Sequence, residues 1–252
     1  MLSKRLDTKR LETKGLETKG LERRQALKAL GGVGLGMAFG CGSKSATSPS
    51  SASGTTTTTT TTTGTSGTAS CAVTPSETAG PYPSLSDFIR SDIREGKSGT
   101  NLSLTIKVVN SNSNCAALSG AQVEIWHCDV TGNYSQYGTQ TAQTYLRGVQ
   151  TTNANGEVNF TTIYPGWYQG RATHIHMEVT VNGRSVKVTQ IAFPEAINNT
   201  VYAAGVYASR GSNPTNNLSD GIFSDSLSSE LVTPSGSPAA GYIAAYQINV
   251  SV

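Results

Sequence analysis

Histidine is scarce in this chain, with three in 252 residues, so any clustering of them carries information. Charge is sparse too: Asp, Glu, Lys and Arg make up 14% of the residues, and the formal net charge is only +3. Residues 1–40 hold nine Lys/Arg and four Asp/Glu, which leaves ten and twelve for the remainder, so the rest of the chain is near −2. The small positive charge therefore belongs to the leading segment, and no basic surface for nucleic acid is implied. Long apolar runs are absent. The uncharged stretch Ala29–Gly40 is twelve residues, too short for a permanent membrane-spanning helix. No stretch shows a sustained helical period either, which argues against a helical bundle.

The opening segment repeats without a structural period. Leucines recur every five residues from Leu6 to Leu21, and that spacing collects on neither a helix face nor a strand face. Arg23-Arg24 then precede the mild apolar run and Ala38-Phe39-Gly40-Cys41. Paired arginines, a weakly apolar core and small residues before a cysteine read as a twin-arginine export signal with a lipoprotein-like cleavage box. Cys41 would be the lipid-bearing residue and the only membrane attachment. Residues 41–70 form a Ser/Thr-rich tether, with nine consecutive threonines at 55–63. Such a stretch has too little apolar mass to offset its own conformational entropy and is expected to be disordered. The expected organisation is an export signal over 1–40, a linker over 41–70 and one folded domain over 71–252, in an extracytoplasmic location.

Within that domain, apolar alternation and turn residues recur at short intervals. Strands are expected at Leu102–Val109, Ala121–Cys128, Tyr145–Thr151, Gly156–Ile163, His174–Val181, Ser185–Phe193 and Tyr242–Val250. Asn153-Ala-Asn-Gly156 and Val181-Asn-Gly-Arg184 read as hairpin turns, since Asn-Gly supplies the positive φ that tight hairpins need. The pattern predicts an all-β fold, a β-sandwich with long loops. Cys71, Cys115 and Cys128 allow three pairings, and Cys115–Cys128 would require the Cys115 loop to fold back.

The chemistry gathers around His174-Ile-His176. Side chains two apart on a strand share a face, so both imidazoles enter one site, a pair suited to iron, zinc or copper. Pro165-Gly-Trp-Tyr168 and Arg171 stand just before them. Upstream, Trp126-His-x-x-x-x-Gly-x-Tyr134 runs from a strand into a turn, and Thr74-Pro-x-x-Thr-x-Gly-Pro-Tyr82 precedes it; Thr189-Gln190 follows. In this order and spacing the motifs resemble the intradiol ring-cleavage dioxygenases, the family of protocatechuate 3,4-dioxygenase and catechol 1,2-dioxygenase, and among them the secreted single-domain branch. The resemblance covers roughly Cys71 to Val252.

The resemblance implies a sandwich of two mixed sheets with an Fe(III) site near one end, held by Tyr134, Tyr168, His174 and His176. It implies an enzyme that uses O2 to open a small aromatic diol between its hydroxyl-bearing carbons. Tyr168 would leave the metal when substrate binds, Arg171 and Gln190 would stabilise the substrate ring, and Tyr82 would line the mouth. An unperturbed tyrosine ionises near pH 10, so phenolate ligation needs a strongly acidic cation. His127 is expected to be a structural hydrogen-bonding residue, Trp126 and Trp167 packing, and Arg147 a support behind the ligands. Two other readings compete: a β-sandwich binding module without iron, and a zinc hydrolase built on His174, His176 and a third ligand.

Overall fold

The computed structural model describes residues 71–252. The leader, Arg23-Arg24, Cys41 and the Ser/Thr tract lie outside the described residues.

Nine strands among the described residues form two sheets. The first contains β1 (Asn101–Asn110), β2 (Ala116–Ala117), β5 (Glu157–Ile163), β8 (Ser235–Ser237) and β9 (Gly241–Val250). The second contains β3 (Gln122–Trp126), β4 (Arg147–Thr151), β6 (His174–Val181) and β7 (Arg184–Ala192) in the order β4-β3-β6-β7. Period-two alternation puts one apolar set from each strand between the sheets: Leu102, Leu104, Ile106 and Val108 from β1, Val123 and Ile125 from β3, Ile175, Met177 and Val179 from β6. The expected sandwich is present. Only the first sheet is mixed, because β1 runs parallel to β9 and antiparallel to β2 and β5; the named strands of the second are all antiparallel. A parallel pair needs a long crossover, and here the whole second sheet lies in the chain between β1 and β9.

The strand ends differ from expectation for local reasons. β4 begins at Arg147 rather than Tyr145, because Leu146 takes φ 56° and breaks the extended run. β3 stops at Trp126, and the His127 amide bonds to the Leu146 carbonyl instead. Asn182 and Gly183 both take positive φ, so the β6–β7 hairpin is the tight turn its Asn-Gly predicts. Asn153–Gly156 also forms a tight turn, but it joins β4 to β5 in the opposite sheet and is no hairpin. The reversal is local chemistry; the partner is chosen by which apolar face each strand presents. Two helices were not legible. α1 (Glu195–Tyr202) starts after Pro194 and buries Asn198, Val201 and Tyr202, a stretch too short to set up a period and with a polar residue on its buried face. α2 (Leu227–Glu230) is a single turn.

Cys71 pairs with Cys115 across a 44-residue separation, and Cys128 is free and buried. The bridge ties the segment entering the domain to the end of the first sheet. Thr74 continues that attachment: its amide bonds to the Asn249 carbonyl, and its hydroxyl accepts from the Asn249 amide. Closing a loop of this size stabilises a fold by about 3–4 kcal/mol. Cys71→Ser, or full reduction of the full-length chain, should therefore lower the urea midpoint of the folded domain, and an unchanged midpoint would show that the hydrogen bonds alone hold the segment.

Candidate metal centre

Because Ile175 and Met177 point into the core, His174 and His176 point out of the second sheet, at the end where β6 begins. The site therefore sits on the outer face of one sheet, roofed by loops, rather than in the gap between the sheets. His176 faces Trp126 and Gln190 on the neighbouring strands, and its ring stacks on Trp126 at 5.0 Å with parallel planes. The Ala172 carbonyl lies 2.6 Å from Nδ1 of His174. A carbonyl can only accept, so Nδ1 carries the proton and Nε2 presents its lone pair to the site.

Two tyrosine hydroxyls complete the cluster. Tyr134 Oη lies 3.3 Å and Tyr168 Oη 3.5 Å from His174 Nε2, and the two Nε2 atoms are 3.1 Å apart. Tyr134 is 3% exposed, whereas Tyr168 is half-buried. Tyr134 is fixed from several sides. Tyr82 stacks on its ring at 4.7 Å, and the Arg147 guanidinium lies 5.8 Å from the ring centre. Arg147 is fully buried and donates to the Ser135 hydroxyl, the Ser135 carbonyl, the Tyr82 carbonyl and the Ser84 hydroxyl. It thus joins the Tyr134 loop to the Tyr82 segment, in keeping with the support expected of it. Tyr168 hangs on the loop after Gly166, and a Cβ at Gly166 would stand 2.1 Å from the Asp129 carbonyl; only glycine lets the two tyrosine-bearing loops approach this closely.

The donor set fits a metal, and fits Fe(III) better than zinc. Burial pushes His174 down to about 3 and His176 well below the usual imidazole range, so both are neutral, with their Nε2 atoms 3.1 Å apart and the His174 lone pair directed into the site. Burial pushes both tyrosines up, so only a cation of high charge density would ionise them. Among the described residues no three of His, Cys, Asp and Glu gather at one point. The zinc hydrolase reading therefore lacks a third ligand of the type zinc favours.

Arg171 and Gln190 adjoin the cluster. Arg171 donates from Nε to Asp220 Oδ2 at 2.9 Å and from a terminal nitrogen to Gln190 Oε1 at 2.6 Å. Gln190 in turn donates to the Thr78 carbonyl. Asp220 was not legible in the sequence. It lies in an Asn/Ser-rich loop 44 residues beyond His176, with no motif around it. It is fully buried and accepts from the Ala172 and Ile222 amides as well as from Arg171. Burial alone would raise its pKa, but these donors outweigh burial and hold it below the usual carboxylate range. His127, by contrast, is structural as expected: its ring nitrogens meet the Cys128 carbonyl and the Thr162 hydroxyl. Trp167 donates to the Gly211 carbonyl and carries Arg210 over its face.

Gly80 closes the roof. Its φ is +70°, and a Cβ there would stand 2.9 Å from Cε1 of His176. Gly80→Ala should cost about 1–2 kcal/mol in backbone strain and push the His176 ring. Its measurable outcome is a lowered iron content at unchanged far-UV circular dichroism; full iron occupancy would show that the 78–82 segment gives way instead.

Comparison with known proteins agrees with this geometry. A sequence model of the dioxygenase family, described as Dioxygenase, matches residues 81–210. The intradiol ring-cleavage dioxygenase of Tetranychus urticae is 30% identical over 72% of this chain and 95% of its own, with a TM-score of 0.65. The dioxygenase domain of a dioxygenase–carbohydrate-binding protein fusion from Streptomyces sp. SirexAA-E is 27% identical over 71% of this chain and 99% of that domain, at a TM-score of 0.55. The catechol 1,2-dioxygenase of Candida albicans is 33% identical over 108 residues, 34% of this chain. That alignment spans 36% of the curated enzyme, about a third of its length. With more than half of the chain under the family model, and with both imidazoles and both tyrosines gathered at one point, this chain belongs to the intradiol ring-cleavage dioxygenases.

Proposed function

We propose that the chain is an exported, Fe(III)-dependent dioxygenase that opens catechol-type rings between the two hydroxyl-bearing carbons to give muconate-type diacids. The observation that carries this reading is the convergence of Tyr134, Tyr168, His174 and His176, all four polar atoms within 3.1–3.5 Å of a neighbour in a buried pocket. These four would hold the iron. When bound, Fe(III) supplies Lewis acidity toward the catechol oxygens and makes the ring reactive toward O2.

The chain's own residues divide the remaining work. Tyr134, stacked and buried, keeps its place. Tyr168, half-buried on its loop, is the side chain free to swing away and accept a substrate hydroxyl proton at its oxygen; positioned acid–base groups of this kind contribute about 10²–10⁴ in rate. Arg171, held by Asp220 and Gln190, presents a preset positive charge where negative charge develops on the ring. Tyr82 forms an aromatic wall beside Tyr134. Trp126 and the roofing segment at Gly80 exclude water from His176.

Export and anchoring rest on Arg23-Arg24 and Gly40-Cys41; among the described residues no helix is long and apolar enough to cross a membrane. Oxygen uptake by the iron-loaded full-length chain with catechol tests the activity. Equimolar O2 and catechol consumption with a diacid product is expected. No uptake, or a ring opened beside the hydroxyl pair to give a semialdehyde, would contradict it.

A further inference from the structure

Tyr168 opens a short segment whose two flanks are pinned and whose middle is open. On the far flank, the Arg171 carbonyl accepts from the Asn213 side chain, and the Ala172 amide donates to Asp220. In the middle, Gln169 and Gly170 are exposed, and a Cβ at Gly170 would meet nothing within 4 Å. On the near flank the pinned residue is Trp167. Its indole N–H donates to the Gly211 carbonyl at 3.0 Å, and the Arg210 guanidinium lies 4.2 Å from its ring centre. Its own carbonyl backs onto Gly132, where a Cβ would stand 2.4 Å away. The same guanidinium donates to the Thr131 carbonyl, on the loop that carries Tyr134. Arg210 Nε is buried and has no hydrogen-bond partner among the described residues. That edge rests on the ring, and a cation is held harder over a ring when water is excluded. The base of this grip is firm, because the Arg210 and Gly211 amides both donate to the carbonyl of the buried Tyr207.

From this geometry we infer that Arg210 is a positioning residue for Tyr168. It fixes Trp167 against the Tyr134 loop, so the Tyr168 phenol enters the site at a set place and leaves it by moving residues 168–170 alone. The inference rests on the catechol reading and gives a part in it to a residue that no sequence motif marks. Without the guanidinium, Trp167 keeps its indole bond but loses the cap on its face, and the flank before Tyr168 loosens. Tyr168 then spends more of its time out of the site. A substrate that needs its place binds more tightly, because apparent affinity follows the fraction of chains already open. Turnover falls, because the phenol oxygen is no longer set to take the substrate proton. A merely structural loss would weaken binding and turnover together.

The test is Arg210→Met in the iron-loaded full-length chain. Iron content should hold, the visible band should change, the catechol dissociation constant should fall about threefold, and kcat should fall about tenfold. In the Tyr168→Phe background the same substitution should move neither constant by more than about twofold, because it acts through that residue. Before iron loading, acrylamide should quench Trp167 fluorescence more strongly in Arg210→Met than in the unaltered chain; Trp126, 1% exposed, adds little to the difference. Arg210→Lys keeps a cation for the ring and should lie between the two in every readout, so the comparison survives poor folding of the methionine variant. Catechol affinity and kcat lost together, effects that persist in the Tyr168→Phe background, or unchanged quenching would each overturn the inference. Stronger quenching and a changed band in Arg210→Met, with no catechol bound or turned over by the unaltered chain, would uphold the positioning of Tyr168 and overturn the dioxygenase reading instead.

Discussion

Tyr134→Phe is expected to leave the full-length chain nearly free of iron and its turnover near background, while Tyr168→Phe keeps part of its iron and loses about 10²–10⁴ in rate. The two residues offer the same functional group, so the difference must come from their surroundings. Tyr134 is 3% exposed, stacked by Tyr82, and held by a loop that Arg147 ties down at Ser135. Its oxygen lies 3.3 Å from His174 Nε2. Tyr168 is half-buried, and its ring packs against Tyr82 and Tyr134 only edge-on. Phenylalanine preserves both packing arrangements, so each variant removes a donor and little else. Iron stoichiometry, visible absorption and turnover of the two variants, before and after catechol, check the claim. Equal iron and colour in both variants would show that neither oxygen is a ligand. Iron lost from Tyr168→Phe but kept in Tyr134→Phe would reverse the fixed and mobile roles.

Asp220→Asn should combine a large stability loss with a loss in rate. The substitution keeps size and removes one charge. Arg171, only 15% exposed at its side chain, then loses its ionic partner. Removing one member of a buried pair costs about 3–5 kcal/mol when the remaining charge is uncompensated; partial exposure of Arg171 brings the expected loss to about 2–4 kcal/mol. Asp220 also holds the Ala172 amide at 2.6 Å, and the Ala172 carbonyl orients His174. Both the guanidinium and the His174 imidazole therefore lose a support. A positioning role predicts a fall in kcat of about 10–100-fold with a smaller change in KM. A double cycle with Arg171→Met separates this from simple unfolding, since residues acting as one unit give non-additive effects. Additive losses in kcat would show that Asp220 acts on stability alone.

The contrast between Tyr134 and Asp220 explains how much of this molecule was legible beforehand. Strands with clean alternation, such as Leu102-x-Leu104-x-Ile106-x-Val108, state their inner face directly, because period two is the geometry of a strand. His174 and His176 are legible for the same reason. Tyr134, Tyr168, Arg171 and Gln190 are legible through short motifs held in order along the chain, and the structure brings all of them to one point. Asp220 has no such mark. Its role exists only because the loop before α2 folds back onto the segment preceding β6, a contact across 48 residues set by tertiary packing. The Cys71–Cys115 pairing was undecidable for a similar reason: pairing depends on where loops end, not on strand pattern. The same holds for the Asn153–Gly156 turn, whose residues announce a reversal but not the sheet to which the next strand belongs.

The function of this chain turns on what the four-residue centre binds. The decisive measurement is the metal content and visible spectrum of the full-length chain prepared with iron and zinc both available. One iron per chain is expected, with a visible band that shifts on adding catechol and vanishes in Tyr134→Phe. A colourless, zinc-loaded chain, or a band indifferent to both catechol and Tyr134, would contradict the assignment of this site.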